Sequence, residues 1–147
     1  MTSSEMARWR GLVLVVDDEA DLLEIVSDRL RGEGYRVDTA RDGLEALERV
    51  RAIRPGCIIL DLKMPRLGGF DALVELRREA PAAYVIVLTG SPNRPLAEAC
   101  RAHGADDFLL KPFDSGELLR RTARAFHRRE GGHGTGWEPI RAPSPRR

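Results

Sequence analysis

Two adjacent aspartates, Asp17 and Asp18, follow the apolar run LVLVV; a third, Asp61, follows CIIL; Thr89 follows YVIVL; and Lys111 follows DFLL. Short runs rich in Val, Ile and Leu read as buried strands of a parallel sheet, whose ligands sit beyond the carboxyl ends of the strands. These strands therefore deliver polar groups to one edge. Each group has a bland role open to it: a helix cap for the aspartates and Thr89, a solvated cation for Lys111. Together they resist that account, because three converging carboxylates repel unless something compensates. The aspartates bring about −3 and Lys111 brings about +1, which leaves room for one divalent cation, and carboxylates with waters and a phosphoryl oxygen suit magnesium. The chemistry that fits is phosphoryl transfer. Asp61 is the natural nucleophile, Thr89 could donate its hydroxyl to a phosphoryl oxygen, and Lys111 could pair with another.

The chain that must position these groups has 147 residues and is 42% hydrophobic, which suits one globular domain. Its net charge of +1 hides an asymmetry: residues 1–119 carry 21 acidic and 16 basic side chains, whereas residues 120–147 carry eight Arg and two Glu. Only Lys63 and Lys111 among the 24 basic residues are lysines, so both positions are worth following where a compact point charge is wanted. Cys57 and Cys100 show neither metal-ligand nor disulfide spacing and are expected to be reduced, buried thiols in a cytoplasmic protein. No apolar run approaches the ~18 residues of a membrane span, so no membrane insertion is expected.

Hydrophobic spacing predicts five strands alternating with five helices. The strands are 12–16, 35–40, 57–60, 84–88 and 107–110. The first helix is read from apolar positions 22, 23, 25, 26 and 30 and is closed by Gly32 and Gly34. Asp42 caps a second with Leu44, Leu47 and Val50 as its apolar face, ended by Pro55-Gly56. After a loop through Met64-Pro65 and Gly68-Gly69, a third presents Phe70, Leu73, Val74 and Leu76. Pro92 to Pro95 turn the chain into a short fourth helix over 96–102, ended by Gly104. Asp114 and Glu117 have the spacing of a capping box, and the last helix runs to about residue 129 with Leu118, Leu119, Thr122, Ala123 and Phe126 toward the core. Five β-α units argue an open parallel α/β sheet with right-handed crossovers and helices on both faces. Residues 1–10 read as a flexible N-terminus, and 130–147 as a disordered basic Gly/Pro/Arg tail with one Trp.

The pieces VVDDE (15–19), LDLKMPRLGG (60–69), VLTG (87–90) and DFLLKPF (107–113) closely resemble the receiver domain of bacterial two-component response regulators, over about residues 10–130. The resemblance implies a flavodoxin-like three-layer sandwich with strand order 2-1-3-4-5, a receiver domain at 11–129, and a phosphoacceptor switch instead of an enzyme. It implies that Asp61 is the phosphoacceptor. It gives Asp17, Asp18, Asp61 and the backbone carbonyl of Lys63 to a magnesium ion, and makes Thr89 and Lys111 the phosphate-sensing pair. Phe108 is then the aromatic that turns inward when Thr89 moves, and Lys111-Pro112 matches the family's cis peptide bond. The implied partner is a histidine kinase or a histidine phosphotransfer protein, with output through the face of the fourth helix, fifth strand and fifth helix.

The chain departs from the family pattern at Gly68, where an acidic or polar residue is common. Lys63 and Ser91 stand where the family tunes the life of the phosphoryl group, and a cation at 63 implies slow decay. Asp106, Asp107, Glu117, Arg121 and Arg124 resemble parts of the charged dimer face of regulators with winged-helix outputs, but Ala97 stands where that face wants a base. A homodimer and a set of solvated charges both stay open. A haloacid dehalogenase phosphatase would want an Asp at Lys63, and a flavodoxin would not place Asp17-Asp18-Glu19 in its phosphate loop. An interaction module that keeps the fold without phosphorylation is the remaining rival. No output domain is visible after residue 130, so a stand-alone protein or an excised module is expected, and specific DNA reading is not.

Overall fold

The computed structural model describes the backbone of residues 9–63, 69–90 and 93–131. The expectations placed on residues 1–8, on Met64 to Gly68, on Ser91 and Pro92, and on the tail from residue 132 lie outside these. The elements are β1 (Leu12–Val16), α1 (Ala20–Gly32), β2 (Arg36–Ala40), α2 (Gly43–Ile53), β3 (Cys57–Asp61), α3 (Gly69–Glu79), β4 (Tyr84–Thr89), α4 (Arg94–Ala102), β5 (Asp107–Leu110) and α5 (Ser115–Gly131). All strand pairs are parallel and the order is β2-β1-β3-β4-β5, the expected order. No helix among the described residues is long and apolar enough to cross a membrane.

The central strands β3 and β4 are buried at every position, because helices cover both faces of the sheet. Alternation along each strand then divides the core in two. Leu14, Val16, Ile58, Leu60, Val85 and Val87 pack with Leu47, Val50, Leu73, Leu76 and Ala97 of α2, α3 and α4. Val13, Val15, Cys57, Ile59, Ile86 and Leu88 pack on the other side with Leu23, Val26, Leu30 and Leu118 of α1 and α5.

The helix readings need three corrections. Ile25 and Leu44, taken as core residues, are 58% and 47% exposed. The buried stripes are Leu23, Val26, Ser27, Leu30 in α1 and Gly43, Ala46, Leu47, Val50 in α2. Both stripes keep the i, i+3, i+4, i+7 spacing of a single helix face, and Ile25 and Leu44 fall off it. Among the described side chains of α5 the fully buried ones are Leu118, Thr122 and Ala125, so Ala125 takes the place expected of Ala123. Thr122 is tolerated there because its hydroxyl donates to the carbonyl of Leu118 at 2.9 Å.

The caps follow the sequence more closely. Asp42 Oδ1 accepts from the Glu45 N–H, and Glu45 Oε1 accepts from the Arg41 N–H. Asp114 Oδ1 accepts from the Glu117 N–H at 2.7 Å, but the Glu117 carboxylate turns to Arg120 and Arg121, so only half of that capping box forms. The α2 helix ends on Arg54 in the left-handed region (φ 49°), with Pro55 next in the chain.

Candidate functional site

The register of the sheet decides which side chains meet. Val16 lies opposite Leu60, Asp61 opposite Leu88, and Thr89 opposite Leu110. Asp17, Asp61, Thr89 and Lys111 therefore emerge at one edge, as the order of motifs predicted. Asp17 extends the β1 ladder, donating its N–H to the Ala40 carbonyl at 3.1 Å. Its Oδ1 accepts from the Glu19 N–H at 3.0 Å, a turn that aims the carboxylate inward at the start of α1. Asp61 is the last residue of β3, and its Oδ1 accepts from the Lys63 N–H at 3.2 Å. Lys111 donates its N–H to the Thr89 carbonyl at 2.7 Å, which ties the ends of β4 and β5 together. The Lys111-Pro112 peptide is cis, as expected.

Asp17, Asp61 and Thr89 are buried, with only 1%, 3% and 7% exposure. One carboxylate oxygen from each of Asp17, Asp18 and Asp61 lies within 4.8 Å of the others. The Lys111 ammonium stands among them, 3.3 Å from Asp17 Oδ2, 3.4 Å from Asp61 Oδ1 and 3.9 Å from Glu19 Oε1. Burial and the neighbouring Asp17 charge push Asp61 up to about 6, against the pull of the Lys63 N–H and of Lys111. Burial acts to lower the Lys111 pKa, but Asp61 and Asp17 together outweigh it and raise it, so the ammonium stays charged. The result is an all-oxygen, net-negative donor set with one fixed cation, suited to hard cations and to anionic groups that bring one.

Phe108 is buried in the cluster that holds Leu60, Val87, Ala97 and Cys100. Asp107 is a correction. Grouped with surface charges of a dimer face, it is fully buried, and it pairs with Arg121 while accepting the Phe108 N–H at 2.8 Å. Alternation along β5 could have found this: Asp107 shares the α5 side with Leu109, while Phe108 and Leu110 face the other cluster. Asp106 likewise is no free surface charge, since it accepts from Arg77 at 2.6 Å.

Comparison with known proteins agrees with this geometry. The profile of the response regulator receiver domain family matches residues 13–123. The probable transcriptional regulatory protein TcrX of Mycobacterium tuberculosis is 42% identical over 119 residues, which is 81% of this chain and 50% of that protein. The DNA-binding response regulator MtrA of Mycolicibacterium smegmatis is 35% identical over 125 residues, 85% of this chain and 54% of the relative. The chain thus spans about half the length of the curated relatives it matches. Among solved structures, the chemotaxis protein CheY4 of Vibrio cholerae superposes with a TM-score of 0.74 at 34% identity, covering 78% of this chain and 97% of that one. The receiver domain of the Francisella response regulator 1452 gives 0.77 at 29% identity, covering 81% and 98%. Sequence profile, strand order and the buried acidic edge converge, and the chain belongs to the response regulator receiver domains of two-component systems, whose family function is phosphorylation-based switching.

Proposed function

We propose that Asp61 is the residue of this receiver that takes the phosphoryl group, from a histidine kinase or a histidine phosphotransfer protein in the cytoplasm. The observation that carries the reading is the Lys111 ammonium lodged between two buried carboxylates, Asp17 and Asp61. A fold that needed only stability would not bury two mutually repelling acids together. The ionised Asp61 oxygen attacks phosphorus in line; the oxygen–phosphorus bond forms as the phosphorus–nitrogen bond of phosphohistidine breaks, and the imidazole leaves with the electron pair and takes up a proton. Lys111, already within reach of Asp61, pairs with a phosphoryl oxygen of the product. The Thr89 hydroxyl donates to another, and Phe108 carries the change toward α4, β5 and α5.

The donor chemistry of the site fits magnesium. Three carboxylate oxygens within 4.8 Å of one another are hard ligands of the kind it prefers. Asp17, Asp18 and Asp61 would hold it with the Lys63 backbone carbonyl, and when bound it would neutralise charge on the transferring group. Asp17 is kept in place for this by its own turn to the Glu19 N–H.

The test is intact-mass analysis after incubation with acetyl phosphate and magnesium, on the native chain and on Asp61→Asn. The expected result is one added phosphoryl group on the native chain, none on Asp61→Asn, and none without magnesium. A native chain that stays unmodified, and whose Thr89 and Phe108 amide signals ignore beryllofluoride with magnesium, would leave a fixed interaction module on the same fold.

A further inference from the structure

Arg77, in the last turn of α3, joins segments at the edge of the sheet opposite the carboxylate cluster. Its guanidinium donates to the carbonyls of Ala80 at 3.3 Å, Pro81 at 3.0 Å and Ala83 at 2.8 Å, in the turn between α3 and β4. Across a gap in sequence it donates from two nitrogens to the Gly104 carbonyl, at 3.0 and 2.6 Å, and from one to Asp106 Oδ2 at 2.6 Å. Asp106 Oδ2 accepts in turn from the Val85 N–H at the start of β4. Gly104 has φ +110°, and a Cβ there would stand 2.7 Å from Arg77 Cγ, so the arginine stem lies directly on the backbone of the α4–β5 turn. A planar five-donor fork can serve acceptors in several directions at once, which an ammonium cannot.

The α4 helix lies between Thr89 and Phe108, the two residues of the switch proposed above, and this inference rests on that reading. The two ends of α4 are held differently. The C-terminal end is fixed through Gly104 and Asp106 to Arg77, while the N-terminal end carries an exposed cap, Asn93 Oδ1 accepting from the Leu96 N–H at 3.1 Å. We propose that Arg77 is a positioning residue of the switch, holding the α4–β5 turn as a pivot so that a change at Thr89 moves the first turn of α4 and not the whole helix. The clamp thereby determines which part of the α4–β5–α5 face responds to the phosphoryl site.

Amide NMR of the whole chain, with and without magnesium and beryllofluoride, tests this. In the native chain Thr89, Leu96 and Ala97 should shift, while Gly104, Ala105 and Asp106 should not. In Arg77→Lys, which keeps the charge and loses the fork, the ligand-induced shifts should extend through Gly104 to Asp106, and these amides should exchange at least about ten-fold faster without ligand. Asp106→Asn should spread the shifts in the same direction. A destabilised control, Leu47→Ala in α2, should leave the ligand-induced map as in the native chain, which separates a pivot from mere support. Shifts at Gly104 to Asp106 in the native chain as large as those at Leu96, or a native-like map in Arg77→Lys, would overturn the pivot with the site reading intact. Absence of any shift at Thr89 in the native chain would overturn both.

Discussion

Asp61→Asn should make the metal-free protein more stable, although it removes the residue the site is built around. Asp61 is raised from 3.8 to about 6, chiefly by burial and then by Asp17. The unfolded chain therefore gives up this proton at lower pH than the folded chain does. Below the unfolded value the group costs nothing; as pH rises through about 6 the folded state falls behind. A rise from 3.8 to about 6 corresponds to about 3 kcal/mol at most, since a tenfold change in an ionisation constant is about 1.4 kcal/mol. The asparagine keeps an oxygen for the Lys63 N–H and loses the charge that repels Asp17. The expected gain is about 1–3 kcal/mol near pH 7.5, or a rise in Tm of several degrees for a domain of this size. Thermal unfolding in EDTA, followed by circular dichroism from about pH 7.5 down to about pH 4, reads it directly: the gap between Asp61→Asn and the native chain should narrow as pH falls. Saturating magnesium should close it from the other side, because a ligand at ~100 times its Kd stabilises the state it binds by about 2.7 kcal/mol and the variant lacks one of the proposed ligands. An Asp61→Asn protein no more stable than native in EDTA, or a gap indifferent to pH, would refute the electrostatic account of the site.

Asp107→Ala should destabilise the fold by about 2–4 kcal/mol in urea titrations, because it strips a fully buried partner from Arg121 and an acceptor from the Phe108 N–H. A loss under about 1 kcal/mol would show that Arg121 finds Glu117 or solvent equally well. Asp114→Ala removes the cap of α5, whose Oδ1 takes the Glu117 N–H, and should lower stability by about 1 kcal/mol in the same assay, with Asp114→Asn much milder. Both cysteines are buried, and burial pushes the Cys100 thiol up to about 11, so iodoacetamide should leave the folded chain unlabelled and add two groups in denaturant. Labelling of the folded chain at the denatured rate would contradict that burial.

The site was legible in the sequence because the strands around it are unambiguous. LVLVV, CIIL and YVIVL are too apolar and too short to be anything but interior strands, and each hands its first polar residue to the edge where ligands bind. Strand order is another matter. Five β-α units fit several orders, and the resemblance of the four motifs supplied the one observed. The sequence misled where charge masked position. Asp107 begins a strand of only four residues, too short for alternation to outweigh the expectation that an aspartate is wet. Ile25 and Leu44 misled in the opposite sense, since an apolar residue one step off a helical stripe looks like part of it until the stripe is counted. Arg77 carried no signal at all: four of its partners are backbone carbonyls, which every residue type offers.

The placement of β5 explains why the response should leave the site on this side. It is an edge strand, paired only with β4, so its displacement breaks fewer ladder bonds than that of β1, β3 or β4. Along its short length it also touches every part of the proposed switch. Asp107 is paired with α5 through Arg121, Phe108 is packed in the cluster that includes α4, and Lys111, just past its end, reaches Asp17 and Asp61. The Lys111 N–H on the Thr89 carbonyl makes the ends of β4 and β5 one unit. A phosphoryl group on Asp61 would raise the charge there from about −1 to about −2 and draw the Lys111 ammonium with it. The resting site already works against ionisation of Asp61, first through its burial and then through the neighbouring Asp17 charge. Arrival of the phosphoryl group would act on a carboxylate that burial and Asp17 already disfavour and that Lys111 already contacts.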